Sequence, residues 1–337
     1  MKAWYDQEFF PTLKKNNVKE VIHGGDFFDS RNAIGLQDID FVVNWFAKRL
    51  IADNIHITVV LGNHDVAFKN TNKIHSLSIL KAAAPNNVTV IEDALLKEID
   101  GQEYALVPWI NSSNYNDTVQ FLNNIKNKQD VIVVGHFEFA GFKHYKNSPL
   151  AEHGMDSLIL KDFKAVWSGH FHHPSSNRNV QYLGSPFYLN WQDVGDDRGF
   201  WLFDGKLHYQ KNEYCLFVKI AYDAKVLKAM TDDEYKDAFK DRFVMLVVDE
   251  EYKKSELLDI VSRINKATPH DLQVINNVDL KASTESTEQE AQDKTGKSTL
   301  EYIESYIKDS EVQDKSVIVT MLTDAYTRAQ DAMAVGE

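Results

Sequence analysis

The stretch Ile55-His56-Ile57-Thr58-Val59-Val60-Leu61-Gly62-Asn63-His64-Asp65 decides the fold. A short apolar run rich in β-branched residues reads as a buried strand. It stops at a glycine and delivers an amide, an imidazole and a carboxylate at once. The same layout recurs. Val18 to His23 leads to Gly25-Asp26-Phe27-Phe28-Asp29, Val131 to Val134 to Gly135-His136, and Ala165 to Trp167 to Gly169-His170-Phe171-His172. Between these strands lie helical patterns. Phe9 to Asn17 places Phe9, Phe10 and Leu13 on one face; Asp38 to Ala52 does so with Ile39, Val42, Val43, Phe46 and Leu50. Alternating strands and helices predict an α/β domain, with polar side chains at the C-terminal ends of strands, where open α/β sheets build sites.

A single Gly-Asp or Gly-His is usually only a turn, and a His-x-His pair is weak by itself. The ordered series of four carries the signal. Carboxylate, amide and imidazole donors without cysteine suit Mn²⁺, Fe²⁺ or Zn²⁺ rather than Ca²⁺ or a structural zinc.

Composition places this chemistry early in the chain. Thirteen of the 15 glycines, all six tryptophans and 11 of the 12 histidines lie at or before residue 208, so the candidate site falls in residues 1–205. Residues 206–276 predict a small α+β domain: strands at Leu216–Ala221, Phe243–Val248 and Leu272–Ile275, and a helix at Lys253–Ala267. Residues 277–298 are polar and of low complexity, and read as a flexible linker. Within 299–335, Leu300, Ile303 and Ile307, then Ile318, Met321, Leu322, Ala325 and Ala329, recur at helical spacing. Such short amphipathic helices need a surface, either a partner or their own domain.

Hydrophobic residues at 43% and charged residues at 26% exclude a disordered or collagenous chain. One cysteine, Cys215, excludes an internal disulfide. No apolar run approaches a membrane span, and the N-terminus lacks a signal-peptide core, so a cytoplasmic location is expected. The net charge of −13 argues against nucleic-acid binding through a generally basic surface. If the substrate is DNA, metal ions or a basic partner must supply much of the phosphate attraction.

The series Gly-Asp-x-x-Asp, Gly-Asn-His-Asp, Gly-His and Gly-His-x-His resembles the calcineurin-like metallophosphoesterases. Gly169-His-Phe-His172, Tyr182-Leu-Gly-Ser-Pro186 and Gly195-Asp-Asp-Arg-Gly-Phe200 resemble the SbcD-type DNA nucleases within that superfamily, including phage recombination-endonuclease subunits. The resemblance implies a β-sandwich of two mixed sheets flanked by helices, with the 206–276 domain as a cap. It implies two divalent metal ions, Mn²⁺ first. Asp26 would bridge them, Asn63, His136 and His170 would complete one site, and His172 would belong to the other. His64 would be the catalytic histidine, oriented by Asp65, with Asp29 supporting the site from behind. The implied partners are DNA, an SbcC-type coiled-coil ATPase docked on 299–335, and a second copy of the chain; the location would be the host cytoplasm if the protein is phage-encoded. Other readings remain: a phosphatase or small-molecule phosphodiesterase of the same superfamily, or a non-catalytic assembly subunit.

One family motif is missing. An Asp-x-His strand should precede Asp26, and residues 1–25 do not carry it. The expectation is an N-terminally truncated sequence, with a strand supplied by another chain or the loss of one metal site as alternatives. Such a chain is expected to bind one metal well, cleave DNA poorly and be poorly soluble or unstable. His144 and His153 would line the DNA path, support the metals or sit solvated in a loop. His23 and His173 read as structural, and Trp109 and Trp191 as packing residues.

Overall fold

The computed structural model describes residues 2–31, 33–278, 307, 315–316 and 318–323. The expected linker, apart from residues 277 and 278, and most of the expected C-terminal helices lie outside the described residues.

The chain opens with a helix over 2–15, whose middle, Tyr5–Phe9, is π-helical. Then come β1 (Glu20–His23), a helix over 36–53, β2 (His56–Val60), β3 (Val66–Phe68), β4 (Thr71–His75), the helix Ser78–Ala83 and β5 (Val88–Ile91). Strands β6 (Leu95–Ile99) and β7 (Gln102–Val107) precede the helix Tyr115–Asn124 and β8 (Ile132–Gly135). Next are β9 (Ala165–Ser168), β10 (Ser175–Asn177), β11 (Val180–Tyr182), β12 (Gly199–Phe203) and β13 (Leu207–Lys211).

Two sheets carry the site. One has the order β1-β2-β5 and is parallel throughout, rather than mixed. The other has the order β10-β11-β9-β8-β7-β6, parallel at its centre and antiparallel at both edges. Strand alternation sorts their side chains into layers. Val60 and Ile91 of the first sheet share one apolar cluster with Tyr104, Leu106, Ile132, Val134 and Trp167 of the second, so the sheets pack face to face. The opposite side chains of β2, Ile57 and Val59, pack with Phe10, Leu13, Val42, Phe46 and Leu50 from the two long helices. Ala105, Val107 and Val133 turn to the far face, where Leu122 joins them. This is the expected sandwich flanked by helices, and it is why the strands read as near-continuous apolar runs.

The later elements match the small α+β pattern: β14 (Phe217–Ala221), helices Ala224–Ala229 and Asp232–Phe239, β15 (Phe243–Val248), helix Lys254–Lys266 and β16 (Asp271–Asn276), with strand order β14-β15-β16. The chain divides into two compact units. The first comprises 1–219, 231–245 and 263–272 and contains both large sheets; the second comprises 220–230, 246–262 and 273 onward. The antiparallel hairpin β12–β13 spans residue 205. Among the described residues, no helix is long and apolar enough to cross a membrane.

Candidate metal centre

Four strand ends meet. After β1, β2, β8 and β9 the chain turns at Gly24-Gly25, Gly62, Gly135 and Gly169, and the backbones crowd together. A Cβ on Gly62 would lie 2.2 Å from Asp26 Oδ1 and 2.3 Å from Asp26 N; one on Gly169 would lie 2.2 Å from Gly24 O. Gly62 and Gly169 are required because another backbone occupies the space a side chain would need.

This crowding brings Asp26, His136 and His170 together, with one ligand atom from each within 4.8 Å of the others. Asp26 Oδ2 lies 3.1 Å from His136 Nε2. Asn63 Oδ1 lies 3.0 Å from both His136 Nε2 and His170 Nδ1, and the two ring nitrogens are 3.1 Å apart. Asp26 and His170 both have φ in the left-handed region, at 54° and 79°. Each such residue costs on the order of 1–3 kcal/mol, a pattern that gathers at functional sites.

Loop contacts fix the remaining expected residues. The His64 amide donates to Asp26 Oδ1 at 2.8 Å, while its ring Nδ1 is held by the main-chain carbonyl of Asp29. Asp29 therefore supports the site through its backbone, and its own side chain is exposed. Asp65 was expected to orient His64 but does not touch that ring. Its carboxylate is buried and accepts the amides of Asp26, Phe27 and Gly62 at 2.8–2.9 Å, joining two of the loops. Burial, with the charge of Asp26 nearby, pushes Asp65 up to about 6 despite those amide donors.

His172 is not part of the three-ligand group. Its Nδ1 lies 3.5 Å from Asp193 Oδ1, too long for a good hydrogen bond but close enough for an ion pair. Beneath it, Arg198 is 2% exposed and donates to Asp193 Oδ1 at 2.6 Å and to the His172 carbonyl, with Asp196 Oδ2 at 3.2 Å. His173 Nδ1 contacts the same Asp196 at 2.9 Å, in keeping with its structural reading.

Several residues outside the expected set contribute to the site. Arg31 donates through Nε to the Asn63 carbonyl at 2.8 Å. The Trp109 ring stands 5.7 Å from His170 and 6.0 Å from His136, forming a wall of the site. The Tyr182 hydroxyl donates to Phe137 O and accepts from Phe139 N, tying down the chain just after His136. Tyr182 and Arg198 lie within the Tyr182–Pro186 and Gly195–Phe200 motifs; Arg31 has no sequence signal of its own. The His144 ring packs at a tilt against Phe171 with centroids 4.0 Å apart, and its carbonyl accepts the amides of His172 and His173, so it braces this loop.

Residues 4–174 match the family profile of the calcineurin-like phosphoesterases. The chain belongs to that family. It is 32% identical over 321 residues to exonuclease subunit 1 of Enterobacteria phage T4, covering 94% of this chain and 89% of that protein. It is 22% identical over 262 residues to the DNA double-strand break repair protein Mre11 of Nanoarchaeum equitans, covering 70% and 67%.

Calcineurin-like phosphoesterases use divalent metal ions, and the donor set here fits one. His136 Nδ1 donates to the Gly24 carbonyl at 2.8 Å, so the neutral ring turns a lone pair at Nε2 toward Asp26, Asn63 and His170. Four electron-pair donors facing one another repel unless a cation or a proton sits among them. Ligands about 2.1 Å from a cation, at right angles, stand about 3.0 Å apart, which is the spacing found. The titration pattern agrees. Burial disfavours a charged His136, but the hydrogen bond and charge of Asp26 outweigh it and raise its pKa. Burial raises Asp26, yet His136 overrides that and holds it at about 2. Burial, then the neighbouring His136, lowers His170 to about 3. A divalent cation binding there would displace a proton from His136.

Proposed function

We propose that this phosphoesterase is the nuclease subunit of an SbcC/SbcD-type complex, a two-metal phosphodiesterase that hydrolyses DNA phosphodiester bonds in recombination, repair or end processing. The convergence of Asp26, His136 and His170 on one point, with Asn63 beside them, carries the reading. Nuclease-named relatives point the family chemistry toward DNA.

Asp26, Asn63, His136 and His170 would hold one ion, Mn²⁺ first, with Asp26 and His172 contributing to the second. A divalent cation bound there supplies Lewis-acid stabilisation of charge developing on a phosphodiester. The chain's own residues do the rest. Asp26 has one oxygen fixed by the His64 amide and the other facing His136, so its carboxylate cannot rotate freely. Asp29 holds His64 by Nδ1, which leaves Nε2 for proton exchange with a departing oxygen. General-acid help of this kind contributes about 10²–10⁴-fold. Asp65 keeps the Asp26 and Gly62 loops in register and takes no part in proton transfer.

Mn²⁺-dependent degradation of an end-labelled linear duplex by the full chain tests the proposal. His170→Ala is expected to abolish it, and His64→Ala to slow it by about 10²–10⁴-fold. Cleavage that persists in His170→Ala would sink the reading. The position of His172 favours a second reading, an assembly subunit with a single metal site, because among the described residues there is one such ligand group. A chain that binds one ion and never cleaves DNA, even with its ATPase partner, would support that alternative.

The proposed partner is an SbcC-type coiled-coil ATPase engaged through 299–335, and self-association and the host cytoplasm complete the setting. An ATPase clamp would supply the phosphate attraction that a chain of charge −13 lacks. Deleting residues 299–337 is expected to abolish co-purification with the ATPase while leaving metal affinity unchanged. A complex that survives the deletion would contradict this docking.

A further inference from the structure

The β3–β4 hairpin follows directly from the loop that carries Asn63, His64 and Asp65. Strands this short are marginal alone, so the way this pair is fastened is informative. Val66 at its base is fully buried. The Ser76 amide donates to the Asp65 carbonyl at 2.8 Å. The buried Asn72 donates to the Trp109 carbonyl at 3.0 Å and accepts from Asn111 at 2.9 Å. The hairpin is therefore bolted to two residues of the metal centre: at its base to Asp65, which joins the loops, and beside its turn, through Asn72, to Trp109, whose ring walls the site.

The outward side chains around the turn are different. Phe68 is 53% exposed, and Lys69, Asn70 and Lys73 are exposed around it. From Val66 to Ile91 the chain carries three lysines and no carboxylate, although the whole protein has a net charge of −13. A lone exposed aromatic needs no explanation. One that is flanked by lysines, lies in an acid-free segment and is mounted rigidly on a phosphoesterase centre has the composition of a platform for a nucleic-acid base. The ring stacks, and the ammonium groups take the phosphates.

We propose that this hairpin is a base-stacking finger: Phe68 stacks on the terminal base of a DNA strand, and Lys69 and Lys73 hold its backbone, presenting the strand end to Asp26, His136 and His170. The inference rests on the nuclease reading of that centre. It gives the acidic chain a local contact to DNA that is independent of metal and partner.

The test is binding, in EDTA, of a linear duplex carrying 2-aminopurine as its terminal base. The full wild-type chain is expected to quench the probe's fluorescence. Phe68→Ala should remove the quench and weaken binding about tenfold, and Phe68→Trp should restore both. A Lys69→Ala/Lys73→Ala double variant should reduce the slope of log affinity against log salt by about two. Three results would overturn the proposal: no quench by the wild type, a normal quench by Phe68→Ala, or failure of Phe68→Trp to restore it. Normal DNA binding by Phe68→Ala together with lost capture of a protein partner would assign the finger to that partner instead. Wild-type turnover of bis(4-nitrophenyl) phosphate with Mn²⁺ reads the centre separately. Quench without turnover would sink the hydrolase reading and leave the finger standing; turnover without quench would sink the finger alone.

Discussion

An Asp26→Asn chain is expected to lose hydrolysis and to bind divalent metal more than about a hundredfold more weakly. Residues that only support a metal ligand typically cost 10–100-fold when changed, so losing the ligand charge must cost more. Asn is the informative substitution. It tolerates the left-handed backbone that Asp26 adopts, where alanine would be strained. Its side-chain oxygen can still accept the His64 amide. What disappears is the negative charge that opposes burial at His136 and draws a cation into the cluster. The melting temperature should change little while calorimetric metal titration shows the loss. Affinity within tenfold of the wild type would remove Asp26 from the metal site.

The second large effect lies below His172. Arg198→Met should destabilise the protein by about 3–5 kcal/mol, because removing one member of a buried ionic group strands the others. Asp193 and Asp196, both buried, would lose their common guanidinium, and the His172 carbonyl would lose a donor. A fall in melting temperature of roughly 10 °C is expected for a domain of this size. The deficit should depend on pH. Burial raises Asp193, but His172, the Leu189 amide and Arg198 together hold it below its ordinary value. A depressed carboxylate stabilises above its unfolded pKa of about 4 and loses that contribution as pH falls further. The difference between wild type and Arg198→Met should therefore shrink as pH drops below about 4. A deficit independent of pH would assign the effect of Arg198 to packing rather than charge.

Much of this centre was legible in the sequence because its parts are local. An apolar run, a glycine and a ligand type can be read within ten residues, and Asp26, Asn63, His136 and His170 all converge from such units. The helix at Lys254–Lys266 and strand Phe243–Val248 were legible from periodicity for the same reason. Asp65 was misjudged because proximity to His64 along the chain suggested contact. The carboxylate instead turns back to amides 37–39 residues earlier and to Gly62, donors present in every sequence and so invisible as a pattern. His172 shares a motif with His170, yet His170 joins Asp26 and His136 while His172 lies against Asp193. The β3–β4 hairpin was missed altogether: Val66 to His75 is polar at most positions and lacks the alternation that marks a half-buried strand.

The central claim is that Asp26, Asn63, His136 and His170 form one cation site. Calorimetric titration of the full chain with Mn²⁺, beside His170→Ala, tests it most directly. One tightly held ion per wild-type chain and no comparable binding in His170→Ala is the predicted result. Equal binding by the two proteins, or none by the wild type, would contradict it.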